Sequence, residues 1–104
     1  MTDTLPLPVV RYLAARTPDQ IADCFTENGV AVDEQQTRRG RAEIVKWRED
    51  VAKVAYRQDI LSATHEGNQA TVTCRISGGF KGSPVQLDYR FDLSGDLISR
   101  LEIA

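Results

Sequence analysis

Asp33 is the residue whose placement most strongly suggests chemistry, because it ends the short apolar run VAV at residues 30–32. A carboxylate at the mouth of a cavity can act as a general base and take a proton from a bound molecule. The same carboxylate could instead end the strand in solvent, or form an ion pair with Arg38 or Arg39. We predict that Asp33 lines a pocket, and catalysis by Asp33 remains a hypothesis.

The other reactive side chains, one histidine and two cysteines, give weaker evidence of a functional site. His65, the one histidine, lies beside the turn sequence EGN, and we expect it to be exposed. Cys24 and Cys74 are far apart in the chain and form no CxxC motif, so we predict buried core thiols and leave a disulfide between them open. One histidine and two cysteines are too few for a zinc site. We therefore expect neither a metal nor a cofactor.

Length and charge limit the function classes. A chain of 104 residues predicts a single domain, 1–104, with room for a modest core and one small cavity. The net charge of −2 argues against nucleic acid as a partner, because binding to phosphates requires clustered Lys and Arg. The three arginines at positions 38, 39 and 41 are followed by acidic residues, so we predict a solvated loop there.

The sequence also argues against a membrane or secreted protein. The first residues, MTDTLPLP, contain no basic region and no apolar run, which excludes a typical signal peptide. No segment approaches the roughly 20 apolar residues of a membrane-spanning helix. We predict a cytoplasmic protein.

Two short helices are predicted at the start of the chain. Pro8 fits the first turn of a helix that runs to about Arg16. The sequence TPDQ at residues 17–20 is a capping box with proline at the first helical position, so a second helix begins there. We expect this helix to end at the sequence ENG, where Gly29 would adopt the left-handed conformation.

The third helix gives the clearest pattern. Between Arg41 and about Ala55, apolar residues fall at Ile44, Trp47, Val51 and Val54, which is one stripe at helical spacing. The stripe predicts that this helix packs with one face on the rest of the protein.

After the third helix the apolar period changes to two. Strands are predicted at residues 56–64, 70–76, 85–93 and 97–103, in addition to the short strand before Asp33. Each of the later strands alternates apolar and polar residues, which is typical of an antiparallel sheet covered on one face. The sequence therefore predicts an α+β fold in which three N-terminal helices pack on an antiparallel sheet.

This layout resembles the nuclear transport factor two-like superfamily, which includes SnoaL-like polyketide cyclases and ketosteroid isomerases. The resemblance covers nearly the whole chain and rests on the stretches VVRYLAART, FTENGVAVD, GRAEIVKW and YRFDLSGDLISRLEI. It implies a cone-shaped fold with a curved sheet. Because this fold carries enzymes, binders and assembly modules, the resemblance predicts the fold better than the function.

The ketosteroid isomerases also suggest roles for individual residues. The resemblance places Tyr12 at the family's oxyanion donor and Asp33 at its base. The family's second acid has its nearest candidate in Asp88, but counting back from Gly95 that position falls on Leu87. Asp88 also lies on the polar side of its strand's alternation, so only a bulge would turn it inward. The family's proline after the base is replaced by Glu34, and the following loop is shorter.

Six further residues are predicted to form the pocket walls: Trp47, Val51, Tyr56, Phe80, Tyr89 and Phe91. Alternatives stay open for three features. Trp47 could be a core anchor, the Tyr12 hydroxyl could bond a backbone carbonyl, and the segment SGGFKGSP could be a lid or an ordinary hairpin loop.

Two function classes remain. The first is a domain that binds a small apolar molecule, as an isomerase or cyclase that moves a proton next to a carbonyl, with Asp33 as base and Tyr12 as oxyanion donor. The second is a non-catalytic homodimeric module for binding or assembly with the same fold. A cone filled by side chains would favour assembly.

Overall fold

The computed structural model describes residues 5–104. The first four residues, which belong to the segment predicted not to be a signal peptide, lie outside this range. The helices are α1 (Leu7–Ala14), α2 (Pro18–Asp23) and α3 (Gly40–Val51). The strands are β1 (Phe25–Asp33), β2 (Gln36–Arg39), β3 (Tyr56–Glu66), β4 (Gln69–Gly78), β5 (Val85–Ser94) and β6 (Leu97–Ile103). The predicted order of helices and later strands is confirmed.

The strands form one six-stranded sheet in the order β2-β1-β6-β5-β4-β3. Strands β3 to β6 form the predicted antiparallel meander. The sheet as a whole is mixed, however, because β1 pairs with β6 in parallel. The predicted fold class is confirmed, and among the strands of residues 5–104 this parallel pairing is the one departure from an antiparallel sheet. A parallel neighbour requires a long crossover, and here α3 lies in the chain between the two strands.

Strand β2 was predicted as a polar loop. Its four residues, QTRR, pair antiparallel with the end of β1 through a tight turn made by Glu34 and Gln35. Both turn residues have positive φ, 53° and 64°, as the two-residue turns of right-twisted hairpins require. Asp33 therefore lies opposite Gln36, at the last pair of the ladder before the turn.

The short helices follow their sequence signals with one correction. The Thr17 hydroxyl accepts from the Gln20 amide at 3.1 Å, whereas the Gln20 side chain accepts from the Arg16 amide at 2.8 Å. Gly29 does not end α2, because it lies inside β1 without a positive φ. Glycine is needed there for space, since an added Cβ would lie 2.9 Å from the Cβ of Phe25.

The core lies between the helices and one face of the sheet, called here the inner face. The alternating residues of β4 predicted to face inward, Ala70, Val72, Cys74 and Ile76, are all buried. On α3 the buried stripe is shorter than predicted, because the helix ends at Val51 and Val54 is 42% exposed. Both cysteines are buried and free. Within residues 5–104 no helix is long and apolar enough to cross a membrane.

Candidate active site

A cavity of about 880 Å³ lies between α3 and the inner face of the sheet. Its apolar and aromatic walls come from β1, α3, every strand from β3 to β6, two of the connecting loops and the residue after β6: Val32, Trp47, Val51, Val54, Tyr56, Ile76, Phe80, Val85, Leu87, Tyr89, Ile103 and Ala104. Its charged and amide side chains are Asp33, Glu34, Gln35, Arg38, Arg48, Asp50, Lys81 and Glu102. A mostly apolar hollow with a few polar groups is typical of small-molecule sites.

The Asp33 carboxylate is half-buried on this cavity and is held in place by α3. Its Oδ2 atom accepts a hydrogen bond from the Trp47 indole N–H at 3.1 Å. The Asp33 backbone carbonyl accepts from Arg38 at 2.8 Å, but neither Arg38 nor Arg39 forms an ion pair with the carboxylate within residues 5–104. Trp47 is therefore both a cavity wall and the residue that orients the acid.

Tyr12 lies behind the cavity wall. Its ring packs edge-on against Phe25 and Phe91, with ring centroids 6.3 and 5.4 Å away. Its buried hydroxyl has no hydrogen-bond partner among residues 5–104, so the alternative of a bond to a backbone carbonyl is not observed. Burial raises the pKa of the Tyr12 phenol well above its ordinary value, and the Arg48 guanidinium partly opposes this shift. The phenol therefore stays protonated near neutral pH and can donate a hydrogen bond.

Arg48 is a cavity residue that the sequence analysis missed. Its Nη2 atom donates to the Tyr56 hydroxyl at 3.1 Å. Its Cζ atom lies 5.2 Å from the centre of the Trp47 ring and 6.0 Å from that of Tyr12, within the range of cation–π contacts. The signal was present in the sequence, because Arg48 occupies the i+4 position of a stripe that begins at Ile44.

The other predicted site residues fall in three places. Five line the cavity: Trp47, Val51, Tyr56, Phe80 and Tyr89. Phe91 lies in the core, only 1% exposed, and is not part of the cavity wall.

Asp88 is on the other face of β5, where its carboxylate accepts from the Thr73 hydroxyl at 2.7 Å. Leu87, the position found by counting back from Gly95, lines the cavity instead. No bulge at Asp88 turns it inward, since β4 and β5 keep an unbroken register past Thr73. Within the part of the chain described, no three His, Cys, Asp or Glu side chains cluster as metal ligands would.

Comparison with known proteins agrees with this architecture. The family model of the SnoaL-like domain matches residues 9–100. A candidate polyketide cyclase from Sinorhizobium meliloti has 34% identity over 96% of this chain and 95% of its own, with a TM-score of 0.90.

Two more distant structures support the fold. A protein with a ketosteroid isomerase-like fold from Catenulispora acidiphila, in complex with trimethylamine, has 21% identity over 97% of this chain and 86% of its own, with a TM-score of 0.83. An NTF2-like protein from Cytophaga hutchinsonii has 15% identity over 100% and 93%, with a TM-score of 0.73. No curated protein matches the sequence. The chain belongs to the SnoaL-like domain family and has the cone-shaped NTF2-like fold.

Proposed function

We propose that the protein binds a small apolar carbonyl compound in the cavity and moves a proton next to the carbonyl, as an isomerase or cyclase does. The observation that carries this proposal is the Asp33 carboxylate. One of its oxygens is fixed by Trp47 at 3.1 Å, while Oδ1 has no partner among residues 5–104 and the residue lines a largely apolar hollow. A base held this way does not have to reorganise when it takes a proton.

The proposed reaction uses Asp33 as the base. Asp33 Oδ1 removes a proton from the carbon next to the carbonyl, and the electron pair of the C–H bond moves to the carbonyl oxygen as an enolate. An isomerase then returns the proton at another carbon. A cyclase instead uses the enolate carbon to attack a second carbonyl of the same ligand; the C=O π bond opens to an alkoxide, which takes the proton from Asp33. In both cases the carboxylate is regenerated when the proton leaves Asp33.

The proposed oxyanion donor is Tyr12. Its hydroxyl is buried, protonated and without a partner among residues 5–104, so an enolate oxygen that reaches it would supply its missing hydrogen bond. Tyr12 itself does not line the cavity; the cavity residues Arg48 and Tyr89 lie 6.0 and 6.4 Å from its ring, so the ligand oxygen must pass the cavity wall to reach the hydroxyl. This donation is worth most in a dry site, where the dielectric constant is low.

Proton transfer is tested by deuterium exchange. Proton NMR in deuterium oxide follows the loss of the α-protons of indanone, an apolar ketone that fits a cavity of this size. We expect Asp33→Asn to slow enzyme-dependent exchange by about a hundredfold or more. The matched control is Glu34→Gln, which neutralises the adjacent carboxylate on the same cavity. Exchange that survives Asp33→Asn in a folded protein would contradict the role of Asp33.

The role of Tyr12 is tested with phenols, whose anionic form mimics an enolate. Rigid phenols of increasing size are titrated and followed by fluorescence and thermal shift. Trp47 is the only tryptophan of the chain, so the fluorescence signal reports on the cavity. We expect saturable binding that Tyr12→Phe weakens. Absence of binding across the series would favour an assembly module and a protein partner.

That second class, a homodimeric module, has its own support in strand β3. This edge strand exposes Ile60 and Leu61, which are 50% and 45% exposed, beside a register shift in its pairing with β4. We propose that a second copy of the chain covers them. Sedimentation should give a dimer that Leu61→Lys converts to a monomer, and a monomeric wild type would contradict the proposal.

We also propose that the protein works in the cytoplasm. The buried free thiols of Cys24 and Cys74 are typical of a reducing compartment. A fluorescent fusion found outside the cytoplasm would contradict this assignment.

A further inference from the structure

The cavity contains one cation whose hydrogen-bonding capacity is largely unused. Of its three basic residues, Arg38 donates to the Asp33 and Gln36 carbonyls and to the Gln36 side chain. Lys81 is exposed on the loop before β5. The half-buried Arg48 makes one hydrogen bond, to Tyr56, and takes part in no ion pair within residues 5–104.

The surroundings of Arg48 leave a binding position open. A guanidinium has five N–H donors in a planar fork, and Tyr56 uses one of them. Contacts with the rings of Trp47 and Tyr12 stabilise the positive charge but take up none of its N–H groups. The Tyr56 oxygen accepts from Arg48, so its own O–H remains free to donate to a third group. Two donors therefore meet at one place on the cavity wall.

The acidic residues of the cavity do not fill this position. Asp33, Glu34, Asp50 and Glu102 all line the cavity, yet none has an oxygen within 4.0 Å of the Arg48 nitrogens. The Asp33 carboxylate is instead bonded to Trp47, the neighbour of Arg48 on α3. A partly buried cation without a counter-ion is costly, and a ligand anion would remove that cost.

We propose that Arg48 and Tyr56 bind the carboxylate of an aromatic or polycyclic acid, whose rings lie against Trp47, Phe80 and Tyr89. The planar fork of arginine matches a carboxylate in bidentate geometry. This inference rests on the binding part of the proposed function and names its substrate class. It places the acid group at one fixed point, so that the carbon skeleton extends along the wall toward Asp33.

The test compares an acid with its neutral isostere. Titration calorimetry at neutral pH and physiological ionic strength measures the affinities of β-naphthoate and β-naphthamide. We expect the wild type to bind the acid about tenfold more tightly, as one charge-assisted contact provides. Arg48→Met should remove this preference and leave the affinity for the amide unchanged. The matched control, Lys81→Met, removes one charge from the same cavity and should retain the preference.

Three results would overturn the proposal: equal binding of acid and amide by the wild type, no binding of either, or a preference that persists in Arg48→Met. If Arg48→Met shows no cooperative melting, Tyr56→Phe and Arg48→Lys serve instead, and each should reduce the preference without abolishing it. An unreduced preference in both would also overturn the proposal.

The deuterium exchange of indanone separates this proposal from the catalytic one. A preference for the acid without exchange contradicts catalysis by Asp33 and supports the carboxylate site. Exchange without a preference for the acid supports catalysis by Asp33 and contradicts the carboxylate site.

Discussion

The inner face of the sheet has a packed end and a hollow end, and the two are built from similar residues. At the packed end, Tyr12, Phe25 and Phe91 fill the space with edge-to-face aromatic contacts. At the hollow end, Trp47 and Tyr56 stand around a cavity of about 880 Å³. Aromatic content therefore does not decide which end is filled.

The covering helices account for the difference. Residues of α1 and α2, including Val9, Ile21 and Ala22, are buried over the packed end. The hollow end is covered by α3, which ends at Val51, before its stripe could continue to Val54. The charged groups Asp33 and Arg48 line this cavity, one bonded to α3 and the other part of it. The packed end thus holds fully buried residues such as Phe25 and Phe91, while the groups that can perform chemistry occupy the other end.

The largest expected effect is a difference between the two ends in how much a substitution lowers the free energy of unfolding. Phe91→Ala removes a fully buried ring from the packed end, and we expect a loss of about 3–5 kcal/mol in the free energy of unfolding. Leu87→Ala, four residues earlier on the same strand, removes a side chain that already faces the cavity, and we expect a loss of about 1 kcal/mol. Urea unfolding measures both. Equal losses would mean that the hollow end is closed in solution.

The second prediction concerns alkaline pH. Burial raises the pKa values of Tyr12 and Tyr89, so the unfolded chain loses these protons first, near the ordinary value of 10.0. Above that pH the unfolded state binds fewer protons, and the free energy of unfolding falls by up to about 1.4 kcal/mol per pH unit for each tyrosine. Well below pH 10 the two tyrosines are protonated in both states and do not make the free energy of unfolding depend on pH.

Buried Cys24 and Cys74, whose pKa values burial also raises, start the decline near 9.0. Urea titrations across the alkaline range check this prediction. The slope should become smaller in a Tyr12→Phe, Tyr89→Phe double variant. Stability that is unchanged well above pH 10 would contradict it.

The third prediction concerns Tyr12, a residue of the packed end. Its buried hydroxyl lacks a partner among residues 5–104, so Tyr12→Phe removes an unsatisfied group and should stabilise the fold by about 1 kcal/mol. The same change should weaken phenol binding if Tyr12 is the oxyanion donor. Thermal unfolding of the ligand-free protein measures the first effect. A loss of stability would show that the hydroxyl has a hydrogen bond in solution.

The smallest effect concerns the turn at the cavity mouth. Gln35 has φ 64°, a conformation that glycine adopts without strain, so Gln35→Gly should stabilise the hairpin of β1 and β2 by somewhat under about 1 kcal/mol. The opposite control is Gly95→Ala, at φ 59° in the turn between β5 and β6, which should destabilise by about 1 kcal/mol. Thermal melting measures both. Destabilisation by Gln35→Gly would mean that the glutamine side chain supports the turn.

The parts of the fold that could be predicted are those with a strict period. In β4 and β5, alternation identified the buried residues and placed Asp88 on the outer face, because one face is apolar and the other charged. The capping sequence TPDQ located the start of α2 because its cap bond, from the Gln20 amide to the Thr17 hydroxyl, joins residues only three positions apart. Asp33 could be placed at the end of β1 because the apolar run stops there.

The remaining features depend on contacts between distant residues. The polar residues of β2 carry no alternation, and only the turn after Asp33 brings them beside β1. The parallel pairing of β1 with β6 has no local signal at all. The helical spacing puts Arg48 on the same side of α3 as Ile44, but only the contacts with Tyr56 and Trp47 show that its charged group lies on the cavity. Whether an aromatic residue packs in the core or lines a cavity depends on the helix that covers it. Alternation along β5 does not show this, so Phe91 was wrongly assigned to the cavity wall.

The position of β6 in the sheet has a consequence for how the protein is made. This strand leaves the ribosome after every other strand, yet it lies between β1 and β5 and joins the two halves of the sheet. Until it emerges, β1 has only β2 as a partner, and the edge of β5 is open to pairing with other chains. Cooperative folding must therefore wait for the last strand, and a chain that stalls before Leu97 exposes a sheet edge prone to aggregation.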